Sequence, residues 1–418
     1  MESLYIKGGR ELSGSIEICS SKNALLPILA GCVLSRGEIL IHKVSKFTDV
    51  MYMIKILESL GCICKFEGDD LYINSAFANK FVIRDEFTKK IRSSIFMLGP
   101  LLSRFGKAKV SYPGGCNIGN RPIDLHIKGL KNLNVKIEER HGYLYCDGKN
   151  MKSGEVHLDF PSVGATENIM MASVMLKGTT IIYNAAREPE IEDLQSFLNG
   201  MGCNVSGAGS STITVVGVDD IGDVDFTPIT DRIVAGTYMI ACGMCGGEIR
   251  LGGVVKNHNL ALINKLRQSG VKVRCRDGGV EIVSKSRLKS VPIIDTQPYP
   301  GFPTDLQNQI LAMQTISKGS SVVVENLFES RFKIANELIR MGANITIKDR
   351  MAIINGVQKL YGANVVASDL RGGAGLVLAG LVADGYTTIE DIHHIDRGYL
   401  SIEEDLCNLG AEIRRCDK

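Results

Sequence analysis

The stretch Leu338-Ile-Arg-Met-Gly342-Ala-Asn-Ile-Thr-Ile347 decides the fold, because its pattern recurs along the whole chain. Gly342 follows a helix-like run and occupies the C′ position, where a residue in the left-handed conformation commonly ends a helix. The alternation of apolar and polar residues after it is typical of a half-buried strand. The stretch therefore predicts the end of a helix followed at once by a strand.

The same helix-ending pattern occurs six times, at intervals of 73, 68, 68, 72 and 68 residues. Its C′ positions are Gly61, Asn134, Gly202, Gly270, Gly342 and Gly410. Upstream in every unit a glycine precedes a short strand rich in β-branched residues, at Gly37, Gly106, Gly178, Gly247, Gly319 and Gly385. A period of this kind indicates repeated supersecondary units.

A strongly apolar run precedes each glycine-led strand, at 24–34, 94–102, 169–176, 233–245, 309–316 and 374–382. A helix that is apolar nearly all round must be buried on every side. We therefore expect an α/β fold in which sheets lie outside and enclose a helical core. Six units of strands and two helices predict two domains of three units each.

The two domains are expected to divide at Pro228-Ile-Thr-Asp231, between the third and fourth units. The first twenty residues carry a strand pattern but no unit of their own, so we expect them to pair with the second half. One predicted domain therefore spans 22–229, and the other spans 1–21 and 230–418.

The composition is that of an ordinary globular protein, with 418 residues, 44% hydrophobic and 22% charged residues. A net charge of +2 gives no overall basic field for nucleic acid or an anionic membrane. The run from Leu25 to Leu34 is too short to cross a bilayer, and the first residues have no signal-peptide pattern. Twelve cysteines without framework spacing indicate reduced thiols, so we expect a cytoplasmic protein.

One loop has the composition of a reactive site: Ser111-Tyr-Pro-Gly-Gly-Cys116-Asn-Ile-Gly-Asn-Arg121-Pro-Ile-Asp-Leu-His126. A cysteine among glycines and near an arginine is a candidate low-pKa thiol that could act as nucleophile or proton donor. An ordinary glycine-rich turn, with a cysteine that only fills space, would show the same sequence pattern.

Charged residues gather at two junctions of the repeat. The starts of the buried helices, where free backbone N–H groups favour anions, carry Lys22 with Asn23, Arg92, Asp231 with Arg232, Asp305, and Asp369 with Arg371. The loops after the glycine-led strands carry Lys46, Cys116 with Arg121, Arg187, Lys256, Arg331 and Arg397. We expect these sets to meet in a cleft between the domains and to bind a ligand with several anionic groups.

Asp305 has two possible roles in such a site. It follows a proline at a helix start, where an aspartate caps the helix and stabilises it by about 1 kcal/mol. It could also be the base that takes a hydroxyl proton, with Cys116 as the complementary acid.

The motifs at these junctions resemble those of the UDP-N-acetylglucosamine 1-carboxyvinyltransferase family of enolpyruvyl transferases, from Lys7 to the C-terminus. The matching pieces are Ser21-Lys-Asn-Ala24, the loop from Pro113 to His126, Pro161-Ser-Val-Gly-Ala-Thr166, Ala186-Arg-Glu-Pro-Glu-Ile191, Tyr299-Pro-Gly-Phe-Pro-Thr-Asp305, Phe328-Glu-Ser-Arg-Phe332 and His394-Ile-Asp-Arg-Gly-Tyr399. The resemblance implies an inside-out α/β barrel of two three-unit domains, which agrees with the repeat count.

The resemblance implies transfer of the enolpyruvyl group of phosphoenolpyruvate to the 3-hydroxyl of UDP-N-acetylglucosamine, with release of phosphate. This is the first committed step of peptidoglycan synthesis, and hence serves cell-wall biogenesis, cell shape and cell division. By this resemblance Cys116 protonates the methylene carbon and can form a covalent adduct, and Asp305 is the base. Lys22, Arg121 and Arg397 hold phosphate and carboxylate, Asn23 orients the reacting groups, and Asp369 assists.

The resemblance also implies a set of residues that line the nucleotide-sugar site. These are Arg92, Arg121, Pro122, Ile123, Asp124, Leu125, Ser162, Val163, Gly164 and Leu327, and Arg331 and Arg371 match further positions. No metal or organic cofactor is implied, and the partners are the two small-molecule substrates, with no nucleic acid or membrane insertion. Two features depart from the family: Phe160-Pro161 stands where some members carry a lysine that contacts the nucleotide, and Asn134 replaces a glycine common at the helix end of the repeat.

Three other functions fit parts of the pattern. The sister transferase that acts on shikimate 3-phosphate shares fold and phosphoenolpyruvate, but the cysteine loop and Pro161-Ser-Val-Gly164 belong to the nucleotide-sugar branch. A repeat-built DNA clamp would need a diffuse basic lining instead of a cysteine and paired aspartates. A binding protein that has lost catalysis is disfavoured by Cys116, Asp305 and Arg397.

Overall fold

The structure, a computed structural model, describes residues 2–112 and 123–417. Within these residues the strands are β1 Glu2–Lys7, β2 Leu12–Glu17, β3 Glu38–Ile41, β4 Ile63–Glu67, β5 Asp70–Asn74, β6 Val82–Ile83, β7 Lys107–Ser111, β8 Lys136–Arg140, β9 Tyr143–Asp147, β10 Glu155–His157, β11 Thr179–Tyr183, β12 Asn204–Ser206, β13 Thr212–Val216, β14 Val224–Phe226, β15 Gly247–Gly252, β16 Lys272–Arg276, β17 Gly279–Ser284, β18 Ile293–Asp295, β19 Ser320–Val324, β20 Asn344–Lys348, β21 Met351–Asn355, β22 Asn364–Val366, β23 Tyr386–Glu390 and β24 Glu412–Asp417.

The α-helices of the same residues are α1 Lys22–Gly31, α2 Thr48–Leu60, α3 Asp85–Thr88, α4 Leu98–Phe105, α5 Asp124–Asn132, α6 Val163–Ser173, α7 Pro189–Gly200, α8 Arg232–Cys245, α9 Leu260–Gln268, α10 Gln307–Ile316, α11 Ile334–Arg340, α12 Leu370–Val382 and α13 Ile402–Asn408. Short 3-10 helices span Cys32–Leu34, Arg92–Met97, Lys256–Asn259, Thr304–Leu306, Arg331–Lys333 and Ile392–Arg397.

The described strands form six four-stranded sheets that share one plan. In the sheet β18-β19-β21-β20 the first two strands are parallel and the following pairs are antiparallel. Sheets β6-β7-β9-β8 and β10-β11-β13-β12 are built in the same way from consecutive strands. The six predicted repeat units are therefore confirmed as six copies of one sheet.

Three sheets take one strand from elsewhere in the chain. Strand β14 pairs in parallel with β3, and β2 pairs in parallel with β15. Strand β1 lies between β23 and β24 and is antiparallel to both, with Lys7 opposite Tyr386 and Glu2 opposite Asp417. The N-terminal strands thus pair with the second half of the chain, as their pattern predicted.

Six helices are buried nearly all round, as the apolar runs predicted: α1, α4, α6, α8, α10 and α12. Their close packing depends on glycine where two backbones meet. A Cβ atom on Gly99 of α4 would lie 2.3 Å from the carbonyl oxygen of Asn168 in α6. One on Gly375 of α12 would lie 3.0 Å from the carbonyl oxygen of Asn308 in α10.

The described residues divide into two compact units, one of residues 2–19 with 230–417 and the other of 20–112 with 123–229. Each unit contains three of the six sheets. The predicted α/β fold with outer sheets and buried helices is confirmed. No helix among the described residues is long and apolar enough to cross a membrane.

The six C′ positions all have positive φ, including the one that lacks glycine. Asn134 has a φ of 65°, and its Nδ2 donates to the carbonyl oxygen of Asn150 at 2.8 Å. Asparagine is among the few non-glycine residues that enter this region readily, since its short amide can bond to nearby backbone. The departure from glycine at this repeat therefore leaves the helix end intact.

Replacement of Asn134 should separate the backbone requirement from the side-chain hydrogen bond. Asn134→Ala and Asn134→Gly both remove the bond to Asn150, but only alanine has a Cβ that disfavours positive φ. We expect Asn134→Ala to be less stable than Asn134→Gly by about 1 kcal/mol in urea denaturation. Equal free energies of unfolding would show that the left-handed conformation imposes no constraint here.

A partly exposed histidine connects the strand β14 to its sheet. His42 Nδ1 lies 2.9 Å from Asp70 Oδ2, and Nε2 lies 2.7 Å from Asp225 Oδ1 in β14. The hydrogen bond to Asp70 is the largest effect on the pKa of His42 and raises it. Desolvation opposes this rise, but the hydrogen bond to Asp225 and the two carboxylate charges add to it, so the pKa is raised. The protonated ring can donate to both carboxylates at once, so it bridges two strands that are far apart in sequence.

This bridge should make stability depend on pH. Because the folded-state pKa is raised, the contribution of His42 is complete below the unfolded pKa of about 6.5 and is lost as pH rises through the folded pKa. We expect His42→Gln to lower the melting temperature more at about pH 5.5 than at about pH 8.5. His157→Gln, at an exposed histidine of the same unit, is the control and should show no such difference.

Candidate active site

Asp305 lies between two buried arginines at the start of helix α10. Arg331 Nη2 donates to Asp305 Oδ1 at 2.9 Å, and Arg371 Nη2 donates to Oδ2 at 2.9 Å. The two arginine side chains are 2% and 3% exposed, whereas the Asp305 side chain is 29% exposed. The carboxylate is thus fixed from behind and still reaches solvent.

These three side chains come from three separate junctions of the repeat. Asp305 belongs to the 3-10 turn Thr304–Leu306, which leads into α10. Arg331 begins the turn Arg331–Lys333 in the loop after β19, and Arg371 lies in the first turn of α12. The structure brings these three predicted site residues together.

Arg371 is held as a cation, and both arginines have N–H groups that Asp305 does not use. Burial lowers the pKa of Arg371, but Asp305, Tyr399 and Asp231 outweigh that effect and the pKa is raised. The guanidinium also lies 5.9 Å from the Tyr399 ring centroid. Among the described residues no hydrogen-bond partner meets Arg371 Nη1 or Arg331 Nε, both of which are buried.

Asp369 and Asp231 both cap buried helices. Asp369 Oδ1 accepts from the backbone N–H groups of Arg371 and Gly372, each at 3.0 Å. Asp231 Oδ1 accepts from Ile233 and Val234 at 2.8 and 2.9 Å. The Asp369 side chain thus stabilises the first turn of α12, the turn that carries Arg371.

Glu325 organises the Asp305 turn and was missed by the sequence analysis. It is fully buried at the end of β19, where its Oε2 accepts from Thr304 Oγ1 at 2.9 Å. Its Oε1 accepts from the backbone N–H groups of Leu327 and Phe328 at 2.9 and 3.1 Å. A charged residue that directly follows Ser-Ser-Val-Val-Val324 was the available signal.

Arg397 ends the short helix Ile392–Arg397. This helix is held in place by Arg415, a second residue that sequence reasoning missed. Arg415 of β24 donates through Nη1 and Nη2 to the carboxylate of Asp396, at 3.1 and 2.7 Å. Its Nε donates to Glu403 Oε1 at 2.7 Å, and Nη1 donates to Glu2 Oε2 at 2.8 Å. Burial, with a smaller contribution from His393 and Arg397, lowers the pKa of the neighbouring His394.

Lys22 is the first residue of α1 in the other compact unit. Its side chain is almost buried, and its Nζ lies 3.6 Å from Asp49 Oδ2. Ser21 caps the helix by accepting from the backbone N–H of Ala24 at 3.3 Å. Asn23 follows in the same turn, and Arg92 begins the 3-10 helix Arg92–Met97 of this unit.

The starts of helices α5 and α6 are in contact in this unit. His126 Nδ1 lies 2.8 Å from Asn168 Nδ2, and a Cβ on Gly164 would lie 3.0 Å from His126 Cε1. Ile123, Asp124 and Leu125 begin α5, while Ser162, Val163 and Gly164 begin α6. Two predicted nucleotide-lining segments are therefore neighbours.

Leu327 lies in the loop ordered by Glu325, and Cys116, Arg121 and Pro122 lie outside the described residues.

Comparison with solved structures identifies the fold. An enolpyruvyl transferase from Streptomyces tendae, NikO, aligns with a TM-score of 0.88 at 22% identity, over 99% of this chain and 98% of that one. An EPSP synthase from Acinetobacter baumannii aligns with a TM-score of 0.76 at 16% identity, over the whole of both chains. The architecture is that of an enolpyruvyl transferase.

Sequence comparison identifies the family. The family model for EPSP synthase (3-phosphoshikimate 1-carboxyvinyltransferase) matches residues 6–406, and the chain belongs to this family. A UDP-N-acetylglucosamine 1-carboxyvinyltransferase 2 of Caldanaerobacter subterraneus is 49% identical, over 99% of this chain and all of that protein. A UDP-N-acetylglucosamine 1-carboxyvinyltransferase 1 of Symbiobacterium thermophilum is 48% identical, over 99% of this chain and 95% of its own.

Removal of the Asp305 carboxylate should lower the free energy of unfolding, because two buried arginines lose the negative charge that they contact. Asp305→Ala leaves both guanidinium groups without their carboxylate, and Arg331 keeps only the carbonyl oxygen of Thr304, so we expect a loss of about 2 kcal/mol in the free energy of unfolding. Asp305→Asn retains one acceptor oxygen and should lose less. Glu404→Ala, at an exposed carboxylate of the same unit, is the control. A loss for Asp305→Ala no larger than for the control would mean that the arginines do not depend on Asp305.

Proposed function

We propose that this chain transfers the enolpyruvyl group of phosphoenolpyruvate to the 3-hydroxyl of UDP-N-acetylglucosamine and releases phosphate. In peptidoglycan synthesis this is the first committed step. The observation that carries the proposal is the partly exposed Asp305 carboxylate, held by two buried arginines in a chain of this family. Full-length identity of 49% and 48% to relatives with this activity in their names supports the choice of acceptor.

Asp305 acts as the base in this proposal. Arg331 and Arg371 each donate to one carboxylate oxygen of Asp305, and a carboxylate oxygen can accept more than one hydrogen bond. The fixed orientation spares the cost of ordering the base when substrate binds. The sugar hydroxyl therefore gives its proton to a carboxylate that is already in place.

The reaction balances as an addition followed by an elimination. The sugar oxygen bonds to C2 of phosphoenolpyruvate while Cys116 protonates C3, and the hydroxyl proton passes to Asp305. The tetrahedral intermediate then returns a proton from C3 to the Cys116 thiolate while its C2–O bond to phosphate breaks, which restores the double bond. The leaving phosphate takes up the proton held by Asp305, so both residues regain their starting state. Lys22, Arg121 and Arg397 hold phosphate and carboxylate, Asn23 orients the groups, and Asp369 assists while it caps α12.

The nucleotide sugar is assigned in this proposal to Arg92, to 121–125, to 162–164 and to Leu327. The contact of His126 with Asn168 supports the assignment, since it holds the starts of α5 and α6 side by side. Glu325 supports it as well, because one carboxylate fixes both the Leu327 loop and the turn of Asp305. Arg331 and Arg371 act through Asp305.

A shikimate 3-phosphate acceptor is the second candidate, because the matching family model carries that name. The similarity to solved EPSP synthases is 16% and 17% in sequence, so it concerns the fold alone. The nucleotide-sugar acceptor remains the better supported of the two.

The domain organisation and the cellular compartment of the enzyme are part of this proposal. We assign the two compact units to the three-repeat domains 22–229 and 1–21 with 230–418. The eleven described cysteines are all free thiols, which supports a reducing compartment such as the cytoplasm. The absence of a metal or organic cofactor stays a prediction, and no protein partner is proposed.

Phosphate release tests the function directly. With purified protein we expect inorganic phosphate to appear when phosphoenolpyruvate and UDP-N-acetylglucosamine are both present, and not with either alone. Asp305→Asn should lower kcat by about 100-fold or more, because the amide cannot take the proton. Release with shikimate 3-phosphate in place of the nucleotide sugar would establish the second candidate. No release with either acceptor would refute the transferase.

The role of Cys116 needs its own variant. An epoxide analogue such as fosfomycin should inactivate the wild-type enzyme by alkylating this thiol, and Cys116→Ser should resist it. Cys407→Ser, at an exposed thiol outside the proposed site, is the control and should remain sensitive. Covalent labelling of Cys116→Ser, detected by mass spectrometry, would show that another thiol reacts.

A further inference from the structure

A groove of about 500 Å³ runs along helix α5. Its lining residues are Tyr112, Ile123, Asp124, Ile127, Lys128, Lys131, Asn132 and Glu139. The lining combines an aromatic ring and two isoleucines with two ammonium groups, an amide and two carboxylates. Pockets of about 300 to 1,000 Å³ that mix apolar walls with a few polar groups are typical of small-ligand sites. The combination offers apolar surface to a flat heterocycle and ammonium donors to the negative oxygens of a ligand.

Lys128 connects this groove to the start of α6. Its Nζ lies 2.5 Å from Asp159 Oδ2, and Asp159 precedes the capping residue Ser162 by three positions. The side chains remain 47% and 64% exposed, so water or a ligand can reach the ammonium group. The pair lowers the pKa of Asp159. Lys128 thus lies on the helix that begins with Asp124 and pairs with a residue three positions before Ser162, the cap of α6.

The segment that leads into α6 carries no cation of its own. It reads Asp159-Phe-Pro-Ser-Val-Gly164, with Phe160 about half exposed. A nucleoside diphosphate brings negative oxygens that require charged or polar partners when they leave water. In this part of the fold the charge has to come from another element, and Lys128 of α5 is in position to supply it.

We propose that Lys128 binds the phosphate oxygens of the nucleotide and determines the affinity for nucleoside diphosphate ligands. The inference rests on the proposed function and adds a residue that the resemblance does not include. An ammonium group has three donors, of which Asp159 uses one. On binding, the diphosphate shares or replaces Asp159 as the acceptor. Asp159 therefore keeps Lys128 in place in the free enzyme and competes weakly with the ligand.

Two substitutions distinguish a ligand contact from a structural bridge. Lys128→Met keeps the apolar stem and removes the charge, so we expect Kd for UDP and KM for UDP-N-acetylglucosamine to rise about tenfold. KM for phosphoenolpyruvate should stay the same. Asp159→Asn removes the competing carboxylate and should leave Kd for UDP unchanged or lower. Lys149→Met, at an exposed lysine of the same unit, is the control.

Calorimetric titration with UDP and with uridine, alongside thermal unfolding of each variant, completes the test. Uridine lacks phosphate, so Lys128→Met should bind it like the wild type. Equal weakening by Lys128→Met and Asp159→Asn would overturn the proposal in favour of a structural bridge. An unchanged Kd for UDP in a folded Lys128→Met variant would overturn the role of Lys128. Phosphate release by the wild type would in that case still support the transferase. A wild type that releases no phosphate would instead refute the proposed function.

Discussion

The burial of six helices is the constraint on which the rest of this structure depends. A helix enclosed on all sides cannot hydrate its first backbone N–H groups, so those groups require acceptors at the helix start. Ser21, Ser162, Asp231 and Asp369 meet this need by accepting from backbone donors of α1, α6, α8 and α12. The positive dipole ends of these helices also favour anions, so the requirement of folding and the chemistry of the site fall at the same places.

Asp305 shows how such a position gains a further use. Its carboxylate accepts hydrogen bonds from Arg331 and Arg371, and Glu325 holds the preceding residue, Thr304, by a hydrogen bond to its hydroxyl. The arginines are buried and the carboxylate is not, so a rigid support presents one accessible oxygen pair. This is the arrangement that a positioned base needs, because its geometry is set before substrate arrives.

The periodic features of the fold could be predicted from sequence, because each depends on residues close together in the chain. Gly342 and its five counterparts mark helix ends by their own backbone preference, and Asn134 shares that preference. The apolar runs report burial in the same local way. The placement of Asp305, Arg331 and Arg371 at repeat junctions was also visible, although their mutual contacts were not.

The missed residues have partners that are distant in sequence and have no repeat to predict them. Glu325 reaches back to Thr304, Arg415 contacts Asp396 and Glu2, and Lys128 meets Asp159. A charged residue on a strand or an outer helix usually faces water, so sequence alone gives no reason to separate these from their neighbours. Only the packing of one element on another reveals the pairing.

The position of β1 between β23 and β24 has a consequence for the newly made chain. Strand β1 is synthesised before both of its partners, since Tyr386 begins β23. The unit of residues 20–112 and 123–229 can complete its three sheets once β14 has been made, whereas the sheet of β1 has to wait for β23 and β24. Strand β1 thus stays unpaired while the chain between it and β23 is made, and its pairing with β24 then places Glu2 opposite Asp417.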